Sequence, residues 1–213
     1  MDKRIESVME NLRKNRMVAE YVETGADALE WVKAHIPAGA SIGMGGSVSV
    51  KETGILDYLK NGDFRFFDSH KPDLTPEKKA EEMKAAAFAD YYFCSSNAIT
   101  EDGSLYNVDG NCNRISAIAH GPKRVIMVVG VNKIVPGIAD AVKRVKTVAA
   151  PLNTKRLGCA TYCREAGHCV KVDGAPSEGC QSPERICCNY LISGYQRIPD
   201  RIAVLLVGES LGF

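Results

Sequence analysis

Two stretches of this chain, RVIMVVGV (residues 124–131) and RIAVLLVG (residues 201–208), are apolar from their second residue onward and rich in Val, Ile and Leu. A strand with one wet face alternates polar and apolar residues; these do not, so both of their faces must be covered. Buried strands of this kind belong to a mostly parallel sheet, whose crossover connections place helices on both sides. The remaining pattern supplies those helices. Ile5, Val8, Met9 and Leu12 recur at helical spacing, and Thr24 with Asp27 marks a capping-box start for a helix that ends before Pro37 and Gly39. ASIGM (40–44) reads as a strand running into a glycine turn, and Ser49-x-x-Glu52 as a capping box for a helix that stops at Asn61-Gly62. FRFF and DYYFCSS are further strands, Thr75-Pro76 opens a helix through about Ala89, and residues 136 to about 148 form another, with Ile138, Val142 and Val145 on one face. The fold class is α/β: a mostly parallel sheet flanked by helices, with residues 1–37 as a helical N-terminal segment and 1–213 as one domain.

Lys+Arg number 27 and Asp+Glu 26, a formal net charge of +1 that gives no basic field to attract nucleic acid or an anionic membrane. MDKRIESVMENLRKNRMVAEY has neither the apolar core of a secretory signal nor the character of a transit peptide, and no stretch approaches the ~20 apolar residues of a membrane span. The expectation is a soluble cytoplasmic protein. In that compartment thiols stay reduced, and a 213-residue chain buries enough surface to do without disulfide staples.

In parallel α/β sheets ligands sit at the carboxyl ends of strands. Three turns qualify: residues 43–49, 95–103 and 130–133. In GMGGS, Gly45, Gly46 and Ser47 can bring backbone N–H groups to an anion, with hydroxyls from Ser47 and Ser49, although neither the P-loop nor the full dinucleotide fingerprint is present. SSNAITEDGSLYNVDGNCNR (95–114) is polar for a segment between strands. It reads either as a ligand-lining loop contributing Asn97 and Arg114 or as ordinary hairpin chemistry around Asp102-Gly103 and Asp109-Gly110. Lys133, at a strand end, is a further anion partner, and Glu52, Glu101 and Asp109 are candidate bases or nucleophiles. His35, His70 and His120 carry weaker signals.

Six of the eight cysteines fall between residues 159 and 188, spaced Cys159-x3-Cys163-x5-Cys169-x10-Cys180-x6-Cys187-Cys188. Thiolates are soft ligands suited to iron–sulfur clusters or to zinc. The paired C-x2-C knuckles of a zinc ribbon are absent, whereas clusters accept irregular spacing, so an iron–sulfur centre, most simply 4Fe-4S, leads and zinc is the alternative. His168 is a bystander or an extra ligand. The metal-binding insertion spans 157–188.

GMGGSVSVKETGI, SSNAITEDGSLYNVDGNCNR, KRVIMVVGVNKIV and the closing CQSPERICCNYLI and RIAVLLVGESLGF together resemble the LUD-domain family, the lactate-utilization proteins of the LutC/YkgG group. The resemblance implies a fold like that of ribose-5-phosphate isomerase and the CoA transferases, and some relatives act in iron–sulfur assemblies that oxidise lactate. In a similar subset the tail carries C-x5-C, a further cysteine, then S-P-x-R-I-C-N. On that match the metal ligands are Cys163, Cys169, Cys180 and Cys187. This chain departs from the pattern by inserting VKVDGAPSEG and by adding Cys159 and Cys188, which are possible further ligands.

The leading expectation is an iron–sulfur redox protein that acts on or with a small hydroxy-carboxylate anion, alongside other iron–sulfur subunits. Three alternatives stand beside it: an iron–sulfur Lewis-acid hydro-lyase or isomerase, a sugar-phosphate or CoA-type enzyme with a zinc-stapled loop, and a non-catalytic subunit.

Overall fold

The computed structural model describes residues 2–69 and 71–213. In chain order the elements are α1 (Lys3–Lys14), β1 (Val18–Val22), α2 (Gly25–His35), β2 (Ser41–Met44), α3 (Val48–Glu52), α4 (Ile55–Asn61), β3 (Arg65–Phe66), α5 (Pro76–Ala87), β4 (Tyr91–Cys94), β5 (Ala98–Thr100), β6 (Leu105–Asp109), α6 (Asn113–Ala119), β7 (Arg124–Gly130), β8 (Ile134–Val135), α7 (Ile138–Arg144), α8 (Ala150–Leu157), α9 (Tyr162–Ala166), β9 (Asn189–Ser193) and β10 (Ile202–Val207). None of the described helices is long and apolar enough to cross a membrane.

The two apolar runs become β7 and β10, which lie side by side in a six-stranded, wholly parallel sheet of order β1-β10-β7-β4-β2-β3. Their residues divide by parity. Val125, Met127, Val129, Ile202, Val204 and Leu206 pack with α1 and α6 on one face. Ile126, Val128, Ala203, Leu205 and Val207 pack with α2, α3 and α4 on the other. Full coverage of both faces is what removes any polar alternation from these strands.

Local signals hold at several ends. Thr24 and Asp27 form a reciprocal capping box on α2, and Thr75 caps α5 with Pro76 in its first turn. Elsewhere the expectation is corrected. The helix read as capped by Ser49 begins two residues earlier, capped by Ser47, and Gly54 at φ +75° divides it into α3 and α4. Within the supposedly helical residues 1–37, Val18–Val22 is an edge strand pairing with β10.

The polar segment 95–114 resolves mainly into the hairpin β5–β6. With β8 and β9 it forms a second, mixed sheet of order β8-β5-β6-β9. A third cluster, including Tyr106, Val108, Val142 and Val145, fills the space between that sheet and α7. The expected helix over 136–148 starts at Ile138 and does not stop. It passes through a π-helical turn, Val145–Ala149, in which the Ala150 N–H donates to the Val145 carbonyl, and continues as α8. Pro151, which has no N–H to offer the preceding turn, sits where the register widens.

Candidate functional site

From β2 the chain moves outward to β3, whereas from β4 it moves inward to β7, so the connections diverge between β2 and β4. A crevice forms outside the carboxyl ends of strands at such a point. A cleft of about 220 Å³ lies there, bounded by Gly46–Ser49 after β2, Ser95–Asn97 after β4 and Lys133 after β7, with Val145, Ala149 and Ala150 on the facing wall.

Lys133 is 3% exposed. Its Nζ donates to Ser49 Oγ at 2.9 Å and to Ser95 Oγ at 3.1 Å, and among the described residues no carboxylate pairs with it. Burial, and then the positive charges of Arg144 and Arg114, bring its pKa down to about 7. Asn97 also lines the cleft. Its Oδ1 accepts from the Val108 N–H and from Arg114 Nη2.

Arg114 reaches the cleft with its charge but not with free donors. Nε bonds Asp109 Oδ1 at 3.0 Å; Nη1 bonds the Ser95 carbonyl and the Asn107 side chain; Nη2 bonds Asn97 Oδ1 and the Val108 carbonyl. All five N–H groups are thereby used. Asp109 is as fully engaged, because Oδ2 accepts the backbone N–H groups of Arg114 at 3.0 Å and Ile115 at 2.8 Å. It caps α6, whose own N-cap residue, Cys112, makes no side-chain cap. The expectation that Asp109 is a base or nucleophile does not fit these contacts. Glu52 is exposed and outside the cleft wall; its Oε2 accepts the Gly212 N–H at 2.6 Å and so pins the segment after β10. Glu101 pairs with Arg4 at 2.7 Å, also away from the cleft. Gly45 lies behind the cleft, where a Cβ would sit 3.2 Å from Arg114 Cγ and Cδ, so it serves packing. Gly46 is on the cleft wall, where a Cβ would meet Arg156 Nη2 at 3.9 Å.

The second feature is a cavity of about 30 Å³ whose wall includes Cys163, Cys169, Cys180 and Cys187. All eight cysteines are free thiols, and Cys159 and Cys188 are not part of that wall. Burial pushes the Cys187 thiol up to about 12, with the Cys163, Cys169 and Cys180 sulfurs acting in the same direction and Arg185 against them. Hydroxyl and amide groups approach the sulfurs: Thr154 and Thr161 Oγ1 lie 3.5 and 3.4 Å from Cys163 Sγ, and the Lys171 N–H donates to Cys169 Sγ at 3.5 Å.

Two cations that sequence reasoning missed hold this segment in place. Arg185 donates to the carbonyls of Cys187, Cys180 and Ser177 and to the Tyr190 hydroxyl. Lys146, on the π turn and 4% exposed, donates to the carbonyls of Lys171, Gly174 and Ala175 at 2.7, 2.8 and 2.8 Å. Lys146 had a signal, since it follows Ile138 and Val142 at four-residue steps on the apolar stripe. The two cavities share Val145, Ala150, Ile186 and Cys187.

His35, His120 and His168 stand apart from both. His35 stacks on Trp31 and bonds its carbonyl, His120 is exposed at the end of α6, and His168 lies edge-on to Tyr162. His70 lies outside the described residues.

A family model described as the LUD domain matches residues 5–207. The crystal structure of a DUF162 family protein from Deinococcus radiodurans is similar in fold, with a TM-score of 0.52 and 16% sequence identity over 97% of each chain. No curated protein matches the chain.

Proposed function

The chain belongs to the LUD-domain family, and from that premise we propose that it is an iron–sulfur redox protein acting on or with a small hydroxy-carboxylate anion. The observation that carries this reading is the shared wall: Cys187 borders both the thiol cavity and the cleft that holds Lys133.

The donor set suits a soft metal centre, for Cys163, Cys169, Cys180 and Cys187 surround one cavity and hydrogen bonds already reach two of the sulfurs. Among the described residues no three ligating side chains converge as they would on a single ion. At about 30 Å³ the cavity admits a single ion as it stands, whereas the irregular spacing of the cysteines suits a cluster better than the paired knuckles of a zinc ribbon. A cluster held there supplies one-electron chemistry beside the cleft. The chain's part in loading is to give up thiol protons, with the Arg185 charge favouring the thiolate of Cys187.

Lys133, Arg114 and Arg156 on the cleft wall make the potential positive, with Arg144 acting on Lys133 from outside it, and among the described residues the side-chain carboxylate on the wall, Asp109, is already paired with Arg114 at 2.8 Å. A monoanion of a few carbons fits this volume and charge. The test is electron paramagnetic resonance of the dithionite-reduced protein, prepared without oxygen, with and without lactate or glycolate. Altered signals that saturate with ligand support the reading; signals indifferent to every 2-hydroxy acid, with no ligand binding by calorimetry, contradict it.

A further inference from the structure

We propose that Lys133 is a carbonyl-trapping amine whose Nζ condenses reversibly with the keto group of a small 2-oxo acid bound in the cleft. This rests on reading the cleft as an anion site and on nothing about the thiol cavity.

Two buried lysines in the same molecule make the contrast. Lys146 is 4% exposed and donates to three backbone carbonyls, one for each N–H of an ammonium, so its surroundings are built for the cation. Lys133 is as deeply buried at 3%, yet among the described residues its hydrogen-bond partners are the hydroxyls of Ser49 and Ser95, and of its charged neighbours Arg144 and Arg114 outweigh Glu52. Two acceptors match the two N–H groups of a neutral amine and leave its lone pair unshared. A desolvated lysine beside other cations, neutral for a large fraction of the time near pH 7, is the arrangement that makes the amine a nucleophile toward carbonyls.

The cations that disfavour a third positive charge also attract a carboxylate, and a 2-oxo acid carries its electrophilic carbon next to that carboxylate. At about 220 Å³ the cleft suits an acid of a few carbons. The step balances without an oxidant or reductant. The amine lone pair forms the C–N bond as the carbonyl π bond breaks, and the oxygen takes a proton. The carbinolamine then loses that oxygen as water, both hydrogens of which come from the amine, leaving the imine. Ser49 and Ser95, at 2.9 and 3.1 Å from Nζ, are placed to relay the protons. A 2-oxo acid is also the two-electron oxidation product of a 2-hydroxy acid, so one cleft would serve both.

The experiment uses the full chain, pyruvate as probe and sodium cyanoborohydride as trap, followed by intact-protein mass spectrometry and peptide mapping. Expected is one reduced adduct per chain, located on Lys133, lost in Lys133→Met and weakened in Ser95→Ala, with folding of each variant verified by circular dichroism. The mapping on the wild-type chain decides the matter even if Lys133→Met fails to fold. Pyruvate binding by calorimetry with no adduct, or with adducts spread over surface lysines, overturns the proposal and leaves the anion site standing. Absence of both binding and adduct overturns the proposal and the anion site together.

Discussion

Replacing Asp109 by alanine separates a structural carboxylate from a catalytic one. The Asp109 and Arg114 side chains are only 9% and 11% exposed and lie 2.8 Å apart, so the change leaves a guanidinium charge in a poorly hydrated place. Removing one partner of a buried pair costs about 3–5 kcal/mol. The unpairing of the Arg114 and Ile115 N–H groups at the start of α6 adds about 1 kcal/mol. Solvent at the rim offsets part of this, and a net loss of about 3–5 kcal/mol is the working figure. For a chain of this length each kcal/mol moves the melting midpoint by about 2–4 °C, so Asp109→Ala should melt roughly 6–20 °C lower. Scanning calorimetry or circular dichroism reads this directly. The double variant Asp109→Ala/Arg114→Met removes the stranded charge and should recover about 1–2 kcal/mol, less than the whole because the carbonyls of Ser95 and Val108 then lack a donor. A single variant that melts within about 2 °C of wild type, with no coupling in the double, refutes the structural assignment of Asp109.

Lys146→Met keeps the aliphatic stem but removes the donor to three carbonyls, and should cost roughly 2–4 kcal/mol in urea unfolding together with a lower metal content after dialysis. Lys133 has a folded-state pKa of about 7, below that of an unfolded lysine, so the unfolded chain binds the extra proton between those values. Stability should therefore rise with pH from about 7 toward 10, and the melting difference between wild type and Lys133→Met should shift in favour of wild type over that window; a pH-independent difference contradicts a buried neutral amine. Cys159→Ser and Cys188→Ser should retain bound metal, while serine at Cys163, Cys169, Cys180 or Cys187 should lose it, as read by elemental analysis of anaerobic preparations.

The parallel sheet was legible because β7 and β10 are covered on both faces and therefore carry no polar residue after their first. β1 escaped notice since an edge strand with an exposed Glu20 and only Ala19 buried has no apolar run to show. The second sheet was hidden by the same physics in another form: β9 lies at its edge with Ile192 half in solvent, and Asn107 in β6 is buried to accept from Arg114. Lys133, Ser49 and Asn97 could be placed at strand ends by counting elements. What Arg114 and Asp109 bond to depends on how β6 seats against the turn after β4, a tertiary fact that no local pattern encodes. Resemblance supplied the choice among the six clustered cysteines; the packing of α9, which carries Cys163, against α8 and of Cys187 against the cluster that holds Tyr106 then brings them to one wall.

Iron, zinc and acid-labile sulfide, determined per chain on protein isolated under strict exclusion of oxygen, bear most directly on the four-thiol pocket as a redox centre. Iron and sulfide present in matching amounts, and lost together in Cys187→Ser, are required by that assignment. Stoichiometric zinc without sulfide, or eight titratable thiols on a metal-free chain, contradicts it.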